Sequence, residues 1–283
     1  MDDQLRHFLA VVEHGSFTAA ARSVHLSQPS LSASIQRLEA DLGTPLLHRL
    51  PRGARPTAAG TALVPHARAS LASMRAGRRA VAEVAGLARG EVSIGGGATS
   101  CSYLLPPVLV AFRARYPGVT FRLRETYTPA VPEAVRSGEL DLGVAQAPVP
   151  GELWHHDEVI VVGPPALARP CTAGIPPGTP FVTFPRGAAT RRLLETHVPD
   201  AEIVVELGSI AAVKALSRAG MGLCLLSRAS VQDELDHGDL VEVTDPRLPI
   251  RRALVLVHPG LDRLSPAARA LRDAVLSAGN ASR

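Results

Sequence analysis

The chain has 283 residues, 46% of them hydrophobic, a formal net charge of +4 and a pI near 9.4. That length allows two or three domains, and that hydrophobic share can build their cores, which excludes a wholly disordered chain. No run of about 18 apolar residues is present to span a membrane and MDDQLRHFLA is no signal peptide, so a cytoplasmic protein without a membrane partner is expected.

Lys214 is the only lysine among 30 basic residues, a bias that a GC-rich genome produces by itself. The basic balance therefore permits nucleic acid as a partner without requiring it. Cys101, Cys171 and Cys224 are odd in number, scattered and without CxxC spacing, which argues against a disulfide framework and a zinc site. Each is expected to act as a small buried hydrophobe.

Asp2 to His14 reads as an amphipathic helix with Leu5, Phe8, Leu9 and Val12 on one face, and Gly15 ends it. Ser16 to Glu39 then reads as a helix-turn-helix. Thr18 suits the cap of its first helix, and Ala19, Ala20 and Ala21 are small enough for close approach. The break falls at His25-Leu26-Ser27. Ser27 suits the N-cap of the second helix, and Pro29 sits in the first turn, where a missing N–H costs nothing. Leu31, Ile35, Leu38 and Leu42 give that helix one apolar face. The other carries Pro29, Ala33, Gln36 and Arg37, with Ser32 at its edge. Such a face fits a major groove, and Thr18, Ser27, Gln28, Pro29, Ser30, Ser32, Ala33, Gln36 and Arg37 are the candidate DNA contacts. A helical hairpin with a solvated face carries the same pattern.

Thr44 to Arg49 and Leu50 to Pro56 are two short extended pieces around a Pro/Gly turn with three arginines, Arg49, Arg52 and Arg55. Beside a helix-turn-helix this reads as a β-wing, with Arg52 at the tip able to reach the DNA backbone or minor groove; alone it would read as a solvated basic turn. From Thr57 to about Ala88 follows an alanine-rich helix, about 45 Å long at 1.5 Å per residue. Its stripe is Leu63, Ala67, Leu71, Met74, Val81 and Val84, Pro65 is expected to kink it, and Gly77, Gly86 and Gly90 to mark bends and its end. An apolar stripe on so long a helix calls for a second subunit, in a homodimer or homotetramer.

These residues carry a resemblance to the LysR-type transcriptional regulators. The carriers are Phe8-Leu9-Ala10-Val11-Val12, Gly15-Ser16-Phe17-Thr18-Ala19-Ala20-Ala21 and Leu26-Ser27-Gln28-Pro29-Ser30-Leu31-Ser32. Ile35-Gln36-Arg37-Leu38-Glu39, Leu42-Gly43, Pro45-Leu46 with Arg49, and Thr57-Ala58-Ala59-Gly60 complete them. The resemblance implies a winged helix-turn-helix over residues 1–58, a dimerising linker helix over 59–89 and an effector-binding domain over 90–283. Two positions depart from it. Leu47 stands where members often have Phe, and Ala33-Ser34 stand where many have Arg-Gln. The missing arginine bars carrying an operator sequence over from relatives and shifts weight to backbone contacts and DNA shape.

Glu91 onward is an α/β pattern. Strands at Glu91–Ile94, Val119–Arg124 and Asp141–Ala145 alternate with helices near Leu104–Tyr116 and Thr128–Gly138, an order that implies parallel pairing. Val159–Gly163 reads as a strand crossing into a second lobe. That lobe holds strands at Phe181–Phe184, Ile203–Glu206 and Ala219–Leu226, with helices from Ala188 and Ser209. Arg251–Val257 leads back and Pro266–Ser277 closes the chain. Two α/β lobes, about 90–160 plus 263–283 and about 161–262, resemble a periplasmic-binding-protein fold, which holds a ligand in the cleft between lobes.

Thr99 and Ser100 follow a strand and precede a helix, where hydroxyls and unpaired N–H groups hold an anion or merely cap. Thr128 has the same dual reading, Gln146 follows the third strand, and Arg186 is a candidate anion partner or a solvated loop residue. No catalytic group is singled out. Gly95, Gly97 and Ser100 break a dinucleotide fingerprint, no G-x-S-x-G elbow is present, and His155 and His156 point opposite ways on an extended segment. No cofactor or metal is expected. The expectation is a non-enzymatic regulator that binds an inverted-repeat operator in double-stranded DNA, answers to a small-molecule effector such as an organic anion, and contacts RNA polymerase if it activates. A binding protein whose helical N-terminal part only dimerises it is the competing reading.

Overall fold

The computed structural model describes residues 1–50, 53–84, 90–126, 128–171 and 173–281, with Thr128, parts of the long helix and residues 280–281 described by backbone only. The chain divides into two units, Met1–Arg89 with Glu133–Leu140, and Gly90–Pro132 with Asp141–Arg283.

The first unit runs α1 (Asp2–His14), α2 (Phe17–Ser23), α3 (Gln28–Leu42), an antiparallel hairpin of β1 (Leu47–Leu50) and β2 (Gly53–Pro56), and α4 (Ala58–Val84). Gly15 ends α1 at φ +61°, a left-handed conformation that suits glycine. The cap of α2 is Ser16 rather than Thr18: Ser16 is the last extended residue, and its Oγ accepts the N–H of Ala19 at 3.4 Å. Thr18 lies within the helix and is exposed. Ala20 and Ala21 are buried among Leu5, Phe8, Val11, Leu31, Ile35, Leu38 and Leu46, so small side chains set the spacing of the three helices. Leu42, expected on the apolar face, is 45% exposed; it is the final residue of α3, where Gly43 turns the chain away at φ +67°.

Two polar devices fasten the hairpin. The carboxylate of Glu39 accepts the N–H groups of Leu46 and Leu47 at 2.8 and 3.1 Å, and the N–H of Ala54 donates to the carbonyl of Gly15 at 2.7 Å. Thr57 starts α4: its Oγ1 accepts the N–H of Gly60 at 3.0 Å and donates to the carbonyl of Pro45 at 2.8 Å. α4 is continuous through Pro65 and Gly77. Of its stripe, Leu63, Ala67 and Leu71 pack on the first unit's core, whereas Met74 is exposed and Val81 is 72% exposed. The side chain of Val84, with Gly86, lies outside the described residues.

In the second unit β3 (Gly90–Gly96) leads to a π-helical turn, Ser100–Leu104, then α5 (Leu105–Arg115), β4 (Val119–Glu125), a 3-10 turn at Thr128–Ala130, α6 (Val131–Arg136) and β5 (Leu142–Gln146). Next come β6 (Glu152–Gly163), α7 (Pro165–Ala168), β7 (Pro180–Thr183), α8 (Ala189–His197), β8 (Glu202–Glu206) and α9 (Ile210–Arg218). The chain ends with β9 (Cys224–Ser227), α10 (Arg228–His237), β10 (Val241–Glu242), β11 (Ile250–Val257) and α11 (Pro266–Ala281).

β3 pairs in parallel with both β4 and β5, as the βαβαβ order requires. The sheet is nevertheless mixed, because β11 runs antiparallel to β5 and to β6. β6 and β11 are the two crossings, and β6 starts at Glu152, well before the expected Val159. Past its midpoint β6 pairs with β9 and β10 of the second lobe. There the strands are buried on both faces: Val159, Val161, Phe181, Leu223 and Leu225 join one core, and Ile160, Val162, Val182, Cys224 and Leu226 the other. Period-two alternation with no polar side explains why these strands read as unbroken apolar runs. The first lobe packs Val92, Ile94, Phe112, Leu142, Trp154 and Leu256 against Leu271 and Val275 of α11. Among the described residues no helix is long and apolar enough to cross a membrane.

Candidate functional site

Ser27 is extended and caps α3: its Oγ accepts the N–H of Ser30 at 3.3 Å, and the two hydroxyls lie 2.7 Å apart. That pair uses one of its two O–H groups internally and keeps one to donate outward. Gln28, Pro29, Ser30, Ala33, Gln36 and Arg37 are exposed along α3. Ser34 is buried instead, its hydroxyl 2.7 Å from His7 Nδ1. Of the unusual pair Ala33-Ser34, then, only position 33 faces out.

Arg49 lies over the ring of Phe17 at 4.8 Å and donates through Nη2 to Ser32 Oγ at 2.9 Å. It clips the hairpin to α2 and α3, and makes half-buried Ser32 a support for that clip. Arg55 is exposed on β2 opposite His48, and Arg37 Nε donates to the carbonyl of Ala33 at 3.4 Å. Arg52 lies outside the described residues. Among the described residues no carboxylate pairs with Arg37, Arg49 or Arg55.

In the second unit a cavity of about 330 Å³ is lined by Thr99, Ser100, Glu125, Gln146, Thr190 and Arg252, with Phe184, Ile210, Leu226 and Leu254 as apolar walls. Thr99 begins the π-helical turn, Ala188 begins α8 and Ser209 begins α9, and none of the three starts has a side-chain cap. Their unpaired N–H groups give this cavity a positive partial charge, in contrast to the capped α2 and α3. Ser100 is only 4% exposed, and the Oε1 of Gln146 is buried without a hydrogen-bond partner among the described residues. An unsatisfied buried acceptor on a cavity wall is a group waiting for a donor.

Sequence reasoning missed Arg252, which takes the place it gave to Arg186. Arg186 is exposed and absent from the cavity lining, although Phe184, Pro185 and Ala188 around it are present. Thr128 opens the 3-10 turn by its backbone, and its side chain lies outside the described residues. Arg252 donates to Asp157 Oδ2 at 2.7 Å and to Thr99 Oγ1 at 3.3 Å, and Ser227 donates to Asp157 Oδ1 at 2.6 Å. The carboxylate beside His155-His156 is thus held by an arginine and a serine. Nothing in the mixed run Glu152–Glu158 singles out Asp157 from its neighbour Glu158, and its partner lies 95 residues away.

The three cysteines are buried free thiols. Burial pushes Cys101 up to about 11 and Cys224 up to about 12, and raises Cys171 as well. Reaction goes through the thiolate, so none should react with Ellman's reagent within minutes at pH 8 in the native chain, and all three should react in denaturant. Prompt labelling of one native thiol would contradict this burial.

The family described as "Bacterial regulatory helix-turn-helix protein, lysR family" matches residues 3–61, and "LysR substrate binding domain" matches residues 85–280. The chain is 31% identical to the RuBisCO operon transcriptional regulator of Allochromatium vinosum, over 97% of this chain and 95% of that one. It is 32% identical to the HTH-type transcriptional regulator YeiE of Escherichia coli strain K12, over 95% of each. The crystal structure of full-length CbnR with its target DNA matches with a TM-score of 0.69 at 25% identity, covering 98% of this chain and 99% of that one. ArgP of Mycobacterium tuberculosis, at 22% identity and a TM-score of 0.67 over 98% and 96%, shares the fold. A protein whose N-terminal part only dimerises it is not favoured, because that part matches a DNA-binding family. With a helix-turn-helix DNA-binding domain and an effector-binding domain both matched within one family, the chain belongs to the LysR family of transcriptional regulators.

Proposed function

We propose that dimers of this chain, alone or paired into tetramers, bind an inverted-repeat operator, and that a small organic anion in the cleft changes how they sit on it. Residues 1–58 read the DNA, 59–89 join subunits and 90–283 sense the effector, with lobes at about 90–160 plus 263–283 and about 161–262. On DNA, Gln28, Pro29, Ala33, Gln36 and Arg37 enter the groove. Ser27 and Ser30 meet phosphate, Thr18 and Arg55 flank it, Arg49 and Ser32 support it, and Arg52 serves as the wing tip. In the cleft Thr99, Ser100, Thr128 and Gln146 hold the effector, with Arg252 in the role first given to Arg186. The protein acts in the cytoplasm, as a regulator without catalytic turnover, cofactor or metal, and contacts RNA polymerase if it activates. Effector control requires only that the effector bind one arrangement more tightly than the other.

The observation that carries the DNA reading is α3 itself. One face is wholly buried at Leu31, Ile35 and Leu38, and the other is exposed and polar with, among the described residues, no carboxylate paired to its arginine. The exposed Met74 and Val81 on α4 support the subunit contact. Fluorescence anisotropy with a duplex of the gene's own upstream region tests it. Gln36→Ala and Arg37→Ala should each weaken binding about tenfold, and Arg37→Ala should lower the salt dependence by about one phosphate contact. Wild-type affinity and salt slope in both variants would remove α3 from the interface.

A further inference from the structure

We propose that the cleft takes a zwitterion, a small acid that also carries a protonated amine, with Arg252 receiving the acidic group and Glu125 the ammonium. This rests on the cleft being the effector site, and it adds a cationic group to the anion already inferred.

Arg252 is 8% exposed, and its Nε and Nη2 both bond Asp157, with Nη2 reaching Thr99 as well. Nη1 has no hydrogen bond among the described residues, so two N–H groups of a guanidinium already fixed in place remain for a ligand. Asp157, 2% exposed, neutralises that guanidinium, so Arg252 offers directed donors rather than surplus charge. Glu125 ends β4, in register opposite Gly96, and so stands beside the uncapped turn at Thr99 and Ser100. Exposed glutamates are ordinarily just hydrated; this one borders the cavity next to Thr126, and among the described residues its carboxylate has neither ion pair nor hydrogen bond.

Arg252, Asp157 and Glu125 together leave the cleft one negative charge in excess. A dianion would face that excess with only partial positive charges from helix starts to offset it. A zwitterion matches both poles: its carboxylate meets the uncapped N–H groups, Ser100 and Arg252, and its ammonium meets Glu125. The ammonium also supplies the kind of donor that the buried Oε1 of Gln146 lacks.

Calorimetry and thermal shift on the full chain test this, with the proteinogenic α-amino acids and the 2-hydroxy acids bearing the same side chains as probes. At least one amino acid should bind, at least about tenfold more tightly than its hydroxy counterpart. Glu125→Gln should abolish that preference while leaving the unliganded melting temperature unchanged. Gly208 lines the cavity and a Cβ there meets nothing within 4 Å, so Gly208→Phe should fill the cleft and abolish binding without disturbing the fold. Hydroxy acids bound as tightly as amino acids, an unchanged preference in Glu125→Gln, or no amino acid bound at all overturns the zwitterion. Binding that persists in Gly208→Phe overturns the cleft reading itself.

Discussion

Replacing Asp157 with alanine should destabilise the second unit by about 3–5 kcal/mol, the range for removing one partner of a buried ion pair. The size follows from what is left behind. Arg252 would keep its charge, since guanidinium does not deprotonate, with Thr99 as its one remaining hydrogen-bond partner among the described residues. Ser227 would lose its acceptor too, although Ser227→Ala alone should cost only about 1 kcal/mol. The loss falls at a mechanically important place, because Asp157 lies on β6 and Arg252 on β11, the two strands that join the lobes. Urea denaturation followed by circular dichroism reads the effect. The double variant Asp157→Leu, Arg252→Leu should recover much of it, because well-packed apolar groups often replace a buried pair at little cost. A loss below about 1 kcal/mol in Asp157→Ala would mean that cavity water hydrates the orphaned guanidinium well enough to replace Asp157, and that the pair does not hold the strands together.

That pair also marks where sequence reasoning stops. The helix-turn-helix was legible because its signals are local: Ser27 and Pro29 fall within one turn of the helix they start, and Leu31, Ile35 and Leu38 repeat at helical spacing. The cap of α2 was misplaced because Ser16 and Thr18 are both hydroxylic, and only the extended backbone at Ser16 decides between them. In β6 the mixed run Glu152–Glu158 hid a strand whose inward residues are Trp154 and Asp157. α10 was missed because its buried face holds Ser230, Val231 and Glu234, too little apolar matter to show a helical period, with Glu234 buried against Lys214 at 2.7 Å. Arg251-Arg252 is the sharpest case. Alternation along a strand sends one arginine to solvent and the other into the cleft, and composition cannot say which.

Gly60→Ala should be strongly destabilising even though the same change is favourable in an ordinary helix. Alanine exceeds glycine in helix propensity by about 1 kcal/mol, so propensity alone predicts a gain. At Gly60, however, the new Cβ would lie 2.1 Å from the carbonyl oxygen of Leu46 and 3.2 Å from Pro56 Cβ. That oxygen belongs to backbone that cannot step aside. It accepts the N–H of Thr57 at 2.9 Å, Leu46 N–H is held by Glu39, and the neighbouring Pro45 carbonyl accepts from Thr57 Oγ1. The start of α4 must therefore lift off the base of the hairpin, a repacking worth about 2–3 kcal/mol against the fold. Because β1 carries Arg49, whose guanidinium reaches Ser32 on α3, the displacement should also weaken duplex binding by about tenfold or more. Gly77→Ala in the same helix is the matched control: its Cβ would meet nothing within 4 Å, so it should stabilise by about 0.5–1 kcal/mol. Melting temperatures and anisotropy on the two variants decide the matter. Opposite signs support close backbone packing as the reason for glycine at position 60, and equal gains in both would refute it.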